Sequence, residues 1–371
     1  MSLALQKTLS LIVLIGLGVF LKRKIVNEDQ VKGIKTIVLD MALPAMIFVA
    51  LMKIEINVDL FFLPVLALVF NLIMLGAMKY LMPFFGIEAK TPAMRTMMLM
   101  MPSLAPGLTC FPFVVAYLGD DVLAWAALAD IGNKLFVLIF AYLLAMSMFY
   151  RHQELVSQSN GQKIKQLLLA MLQEPINLVI LVAITFLLFG LNMESLPGFM
   201  TESILMMKDM MTPLVLLFIG IAVVLKWDQL KMITSLLLFR AGITFILSAI
   251  IVFALPLPTE AAVLLAVVFP QSAVSFWPFA HMAAVRKLER DKNANMKKEP
   301  TFDLELGINL LAVSMPFSTL LILGVFSFGN YFTNYLNLLI IGAILVIASV
   351  IPKFVKMIAG SDFSLSSATS D

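Results

Sequence analysis

The sequence predicts an all-α polytopic membrane protein: two inverted five-helix repeats whose fourth and ninth helices are broken and cross, plus one extra C-terminal transmembrane helix. Three observations carry that expectation. Apolar runs of about 20 residues, the length that spans a bilayer, recur from end to end, in a chain of 371 residues that is 61% hydrophobic and only 13% charged. Two of these runs are interrupted by prolines, at Met101-Pro-Ser-Leu-Ala-Pro-Gly-Leu-Thr-Cys-Phe-Pro112 and at Pro270-Gln-Ser-Ala-Val-Ser-Phe-Trp-Pro278. A shift of 169 residues also aligns parts of the two halves, setting Asp40-Met41-Ala-Leu-Pro44 against Asp209-Met210-Met-Thr-Pro213.

In chain order, the first span reads 3–21, the second 30–52 and the third 60–84. The fourth, 93–118, holds the first break, and the fifth is 121–148. After a hydrophilic stretch come the sixth at 166–191, the seventh at 199–225, the eighth at 230–255 and the ninth, with the second break, at 259–285. The tenth is 303–328 and the eleventh 331–351. This divides the chain into a first repeat (1–150), a cytoplasmic linker (151–165), a second repeat (166–328) and the extra helix with its tail (329–371).

Lysine and arginine orient the bundle, because cytoplasmic loops are enriched in them. Lys22, Arg23 and Lys24 follow the first span, Lys90 and Arg95 the third, Arg151, Lys163 and Lys165 the fifth, and Lys226 and Lys231 the seventh. A basic run over 286–298 follows the ninth, and Lys353 and Lys356 follow the eleventh. Odd-numbered spans therefore end inside, which puts the N-terminus outside and the C-terminus inside a cell membrane. The first basic cluster comes after its apolar run rather than before it, so that run reads as a retained span and not a cleaved signal.

The repeat signal extends to Asp59 with Asp228, Phe70 with Phe239 and Asn71 with Arg240. Phe111-Pro112-Phe113 matches Trp277-Pro278-Phe279, and Asp130-Ile-Gly132-Asn-Lys134 matches Glu305-Leu-Gly307-Ile-Asn309. A repeat of five helices crosses the membrane an odd number of times, so its second copy enters from the opposite side. That inversion brings the two breaks together near the midplane, where half-helix ends offer unpaired main-chain groups to a solute.

The breaks supply the substrate-binding candidates: Ser103, Pro106, Gly107 and Thr109 in the first, Pro270, Gln271, Ser272 and Ser275 in the second. Proline removes a backbone donor, and in lipid the freed carbonyls must find protein, water or solute. A kink braced by its own hydroxyls is the alternative reading of each break. Charges within spans cost about 2.5–3.5 kcal/mol at a helix centre and so call for a reason. Arg240 can fork to a carboxylate, either a substrate's or that of Asp209 or Asp130. Asp130 and Lys134, four apart, can neutralise each other or take part in coupling, with Asn309 at the matching place in the second half. Asp40 and Asp209, each four residues before a proline, can carry protons or brace the kink. Lys208 is expected to snorkel outward.

Other classes are excluded or disfavoured. The net charge of +3 is the loop asymmetry, so it gives no reason to invoke nucleic acid. Cys110 is the chain's one cysteine and there are two histidines, so neither a disulfide framework nor a transition-metal site is expected. The 26 methionines read as pliable packing rather than a Cu(I) path. No P-loop is present, no motif pairs a nucleophile with a base, and no cofactor is implied. The chain reads as a non-enzyme.

Asp40-Met-Ala-Leu-Pro-Ala-Met-Ile-Phe48, Gly119-Asp-Asp-Val-Leu-Ala-Trp-Ala-Ala-Leu-Ala-Asp-Ile-Gly-Asn133 and Thr212-Pro-Leu-Val-Leu-Leu-Phe-Ile-Gly220 resemble the auxin efflux carrier family, which includes bacterial malate and malonate permeases; the resemblance covers 3–328. It implies a scaffold of helices one, two, six and seven, with three to five and eight to ten moving as an elevator and the substrate held where four and nine cross. It also implies movement of organic anions and a homodimer through the scaffold, at helices two and seven. Ala105 stands where the family often has asparagine and Cys110 where it has glycine, the long central loop of plant members is missing, and the eleventh helix is an addition. The expected function is a secondary permease that moves a small organic anion, a carboxylate in the first instance, by elevator-type alternating access, with membrane lipid around it and coupling to protons or to sodium left open. A sodium-coupled symporter of the bile-acid carrier fold is the near alternative, and a transport-inactive receptor or assembly factor the distant one.

Overall fold

The computed structural model describes residues 3–25, 27–52, 62–152, 169, 175–222, 227–292 and 299–358. Every regular element among them is helical. Seven helices are long and apolar enough to cross a membrane: Asp29–Leu51, Phe62–Phe85, Asp120–His152, Gly198–Ile221, Lys231–Ala254, Glu260–Arg286 and Leu304–Ser327. Shorter apolar helices, Leu9–Leu21, Asn177–Leu188 and Tyr335–Ile351, fall within the first, sixth and eleventh expected spans. The fourth expected span is not one rod, and so joins neither set. Most of the expected linker (153–165), Asp59, the end of the basic run (293–298) and the tail from 359 lie outside the described residues.

The first half runs α1 (Leu3–Leu21), α2 (Glu28–Ile37), α3 (Leu43–Leu51), α4 (Phe62–Leu81), α5 (Pro92–Met100), α6 (Pro106–Thr109), α7 (Phe111–Leu118), α8 (Asp120–Lys134) and α9 (Ala141–His152). The second runs α10 (Pro175–Leu188), α11 (Gly198–Asp209), α12 (Met211–Ala222), α13 (Trp227–Ala254), α14 (Glu260–Val268), α15 (Phe276–Lys292), α16 (Leu304–Ser327) and α17 (Tyr335–Ile358).

Local chemistry explains the joints. Pro44 has no N–H for the carbonyl of Asp40, and the chain widens into a π turn over Val38–Ala42, with Leu43 N–H donating to Val38 O, so α2 and α3 continue as one span. Pro213 leaves the carbonyl of Asp209 in the same position, and there α11 ends and α12 begins. A second π segment, Leu135–Phe140, joins α8 to α9, and buried His281 of α15 donates from Nε2 to Val137 O at 2.9 Å.

Packing sorts the helices into two groups. In the first, α1 and α2 lie on α12, while α3 lies on α10 and α11. In the second, α4 packs on α5 and α8, α9 on α5 and α15, α16 on α5, α13 and α15, and α13 also on α14 and α17. Small residues allow the closest approaches: a Cβ on Gly220 would come within 2.8 Å of Gly18 Cα, and one on Gly132 would collide with the carbonyl of Pro64. Between the groups, α3 meets α8, α12 meets α7 and α16, and α1 meets α16. The α3 side of that boundary is wholly apolar and buried, from Leu43 to Leu51.

Outward faces are apolar as well. On α17, Leu336, Ile340, Ile344, Ile347 and Ile351 are exposed, and on α4, Phe62, Val65, Val69 and Ile73 are exposed. Patches of that kind would be a liability in water and are the ordinary contact with acyl chains in a bilayer. The chain is built as a multi-pass membrane protein.

Candidate functional site

The first break forms where two prolines, Pro102 and Pro106, stand four residues apart. Thr91 caps α5, its Oγ1 accepting from Met94 N at 3.2 Å, and α5 ends at Met100, before Pro102. Residues 101–105 leave the helix, Pro106 restarts it as the one-turn α6, and α7 follows from Phe111. At the second break, Thr259 caps α14 through Ala262 N at 3.1 Å. A 3-10 turn, Phe269–Gln271, then gives way to extended backbone at Ser272 (ψ 151), and α15 begins at Phe276.

The two irregular segments touch. Ala105 N donates to Ala273 O at 2.8 Å. In return, Ala273 N donates to Thr109 Oγ1 at 3.0 Å and Ser275 N to Ser103 Oγ at 3.0 Å. Each hydroxyl also reaches back into its own segment: Thr109 Oγ1 donates to Ala105 O (2.9 Å), Ser103 Oγ to Met100 O (2.6 Å) and Ser272 Oγ to Phe269 O (2.6 Å). Ser314 of α16 accepts from Val274 N at 3.3 Å. Ser103, Thr109, Gln271, Ser272 and Ser275 are all buried. Thr109 and Ser103 thus brace their own segment and the opposite one at once, whereas Ser272 and Ser275 brace their own. Pro106 and Gly107 serve through backbone: Pro106 is the first residue of α6, and a Cβ on Gly107 would sit 2.9 Å from Leu43 Cδ2 of α3.

Two clamps hold the first break open as extended chain. Asn133 on α8 accepts from Leu104 N (3.3 Å) and donates to Leu104 O (3.0 Å), replacing both helical partners that Leu104 has lost. Asn133 also accepts from Asn71 Nδ2 (3.0 Å) and donates to Asp130 Oδ1 (2.8 Å). Arg240, 2% exposed, donates from Nε to Met101 O (2.8 Å) and from Nη2 to Ser103 O (3.2 Å). Neither Asp209 nor Asp130 pairs with it, and among the described residues no carboxylate does. A guanidinium bonded to carbonyls alone puts a net positive charge at the C-terminal end of α5. The second break has a weaker counterpart: Gln271 Nε2 donates to Ala241 O at 3.2 Å, while its Oε1, like Asn71 Oδ1, is buried without a partner.

Sequence reasoning named Arg240 and the hydroxyls but passed over Asn133, Asn71 and Ser314 as site residues. The signal was present, since Asn133 closes the Asp130-Ile-Gly-Asn133 string and Asn71 aligns with Arg240. What was missing was the question of which side chain replaces the helical bonds that each proline removes.

Of the charge candidates, Asp130 and Lys134 are buried, with Lys134 Nζ 3.7 Å from Asp130 Oδ2 and donating to Asn177 Oδ1 of α10 at 3.2 Å. Asn309 is buried on α16. Asp40 and Asp209 are exposed, with no hydrogen bond or ion pair from either side chain to its kink or to the breaks. Lys208 does not simply reach outward: its Nζ pairs with Asp120 Oδ2 at 2.9 Å, joining α11 to α8. Among the described residues no group of three His, Cys, Asp or Glu could hold a metal ion, and Cys110 is buried.

An apolar groove of about 840 Å³ abuts the second break, with Phe269 and Pro270 at one wall and Phe70, Trp125 and Pro256 among the others. No known family model matches the chain, and no curated protein matches it in sequence.

Proposed function

We propose that this chain is a secondary transporter of a small organic anion, a carboxylate in the first instance, and that it works by elevator-type alternating access. The observation that carries the reading is the contact between two interrupted, buried segments, one from each half, whose main-chain groups are paired with each other by Ala105–Ala273 and through Thr109 and Ser103. Such bonds can be exchanged for bonds to a solute, which ordinary helix bonds cannot. Arg240 supplies the sign: with carbonyls as its only partners among the described residues, it favours an anion nearby.

Two further features support movement. The helices pack as two groups, and the α3 surface between them is apolar, so sliding breaks few polar contacts. The remaining parts of the proposal follow from sequence: inverted repeats, kinship with auxin efflux carriers, and N-terminus outside with C-terminus inside. A homodimer through the second and seventh spans would cover Asp40 and Asp209, whose exposure in the middle of their spans is costly in lipid.

A second reading, sodium-coupled symport, is favoured by the unpartnered oxygens of Gln271 and Asn71, which can accept from a cation as well as from a donor. The test is counterflow of labelled mono- and dicarboxylates in proteoliposomes, with sodium and pH gradients imposed separately. Saturable exchange supports transport, and acceleration by sodium alone selects the symporter. No exchange across the panel overturns the carboxylate reading and favours a receptor or assembly factor.

A further inference from the structure

The apolar groove beside the second break takes its walls from α4, α8, α13 and α14, and its shape follows from the divergence of two spans. At one end the span Phe62–Phe85 meets α13, with the rings of Phe85 and Phe239 4.6 Å apart at their centroids. Towards the other end the two spans part, and Phe62 and Leu255 line the groove between them. Exposure falls along its length. Phe62 and Val65 are 56% and 51% exposed and Pro256 and Pro258 are exposed, whereas Phe70, Phe269 and Pro270 are buried. The groove is therefore open at its mouth and closed at its floor, and the floor is the place where α14 stops. Pro270 offers no N–H to the carbonyl of Ala266, which also lines the groove, and Ser248 Oγ of α13 donates to that carbonyl at 2.9 Å instead.

The wall decides what can fill it. Among the described residues that line the groove none is charged, and the one polar side-chain group is the indole N–H of Trp125. Buried water needs about two to four polar partners, so this wall cannot hold it. The same wall would leave the polar groups of a peptide or a hydrophilic solute unpaired. Left empty, the wall atoms lack dispersion partners. Phe62 and Val65 share the exposed face of α4 with Val69 and Ile73, so the mouth is continuous with the surface that meets acyl chains. Pro256 and Pro258 fix the turn beside the mouth, and the volume of about 840 Å³ is that of a specific site for a small molecule.

We propose that this groove is a binding site for one acyl chain of a membrane phospholipid, which enters beside Phe62 and Pro256 and ends against Phe269 and Pro270. The chain packs on the end of α14 and props the second break in its interrupted form. The site goes beyond the transport reading and does not depend on it.

The chain's three tryptophans make the test spectroscopic. Trp227→Phe with Trp277→Phe leaves Trp125 as the sole indole, in a parent protein reconstituted in dioleoyl phosphatidylcholine mixed with a phosphatidylcholine brominated on its acyl chains. Bromine quenches an indole that it touches. Ala262→Leu with Ala266→Leu fills the groove, and Val69→Leu adds bulk to the lipid-facing side of α4 outside it. Trp125 should be quenched in the parent, the filled variant should lose most of that quenching, and Val69→Leu should keep it. In detergent, added phosphatidylcholine should raise the unfolding temperature of the parent and not of the filled variant, because a ligand stabilises only the form that binds it. Ala262→Leu alone, at a half-buried wall position, carries the same comparisons if the double variant does not fold. Equal quenching in parent and filled variant would show that Trp125 meets only the surrounding bilayer, and equal stabilisation of both by lipid would place the lipid elsewhere; either result overturns the site. Relief of quenching by decanoate but not by decanol would also overturn it, because the groove would then hold the body of an anionic solute. A chain that moves no solute would give the same quenching, so this site and the transport reading fail separately.

Discussion

At the first break the groups freed by proline are taken up by a guanidinium and a carboxamide on neighbouring helices, Arg240 and Asn133. At the second, the work falls to hydroxyls from the first break and from α16, and to Gln271, which uses one end of its amide and leaves the other unpaired. The two segments are alike in outline and differ in grip. Charged and bidentate bonds are stronger than single hydroxyl bonds, so the first break is the anchored member and the second is the one that yields. A solute should therefore enter by replacing bonds of Ala273, Val274 and Ser275 rather than those of Met101 and Leu104.

Variants can break or sharpen that contrast, with thermal unfolding in detergent as the measurement. The largest loss is expected for Asn133→Leu, which strands Leu104 N and O and Asn71 Nδ2 together. At about 1–3 kcal/mol for each buried orphan, with incomplete additivity, it should cost about 3–5 kcal/mol. Arg240→Leu comes next, at about 2–3 kcal/mol, because two orphaned carbonyls are offset by relief of a buried charge. Thr109→Val should cost about 1–2 kcal/mol, since it removes the acceptor for Ala273 N. Gln271→Leu should cost under about 1 kcal/mol, for it loses one bond and removes an oxygen that already lacks a partner. Asp40→Asn, at an exposed site, should shift stability by no more than about 0.5 kcal/mol. If Gln271→Leu proves costlier than Asn133→Leu, the assignment of anchor and yielding member is reversed.

Asp40→Asn also separates the roles considered for that residue. As a proton carrier, Asp40 would be needed for uptake driven by a pH gradient but not for binding. Unchanged driven uptake would remove it from the coupling path, in keeping with its place away from the breaks.

Much of the architecture was legible because prolines and apolar runs are local signals. Pro102, Pro106 and Pro270 mark where helices stop or restart, and the apolar runs place most of the spans, although the last helix continues to Ile358 and most of 166–174, the start of the sixth span, lies outside the described residues. Pro44 reads as a kink within the second span, and the structure absorbs it in a π turn that keeps the span continuous. Partnerships across helices were less legible. Arg240 reads equally as a ligand for carboxylate and as a partner for main-chain carbonyls until Met101 and Ser103 are seen beside it. Asn133 and Asn71 look ordinary in sequence because their importance lies in contacts 29 and 62 residues away. Lys208 reads as a snorkelling side chain because nothing local announces Asp120, 88 residues earlier.

Movement of the crossing past the first helix group is the central claim, and Gly107 and Leu43 lie on either side of that boundary, close enough for a new Cβ to meet Leu43 Cδ2 at 2.9 Å. The direct measurement is carboxylate counterflow in proteoliposomes carrying Leu43→Cys and Gly107→Cys with Cys110→Ser, before and after oxidation. The account predicts that a disulfide across the boundary stops exchange and that reduction restores it. Exchange that continues at the same rate with the bridge formed would mean that the two groups do not move past each other, and the elevator would be wrong.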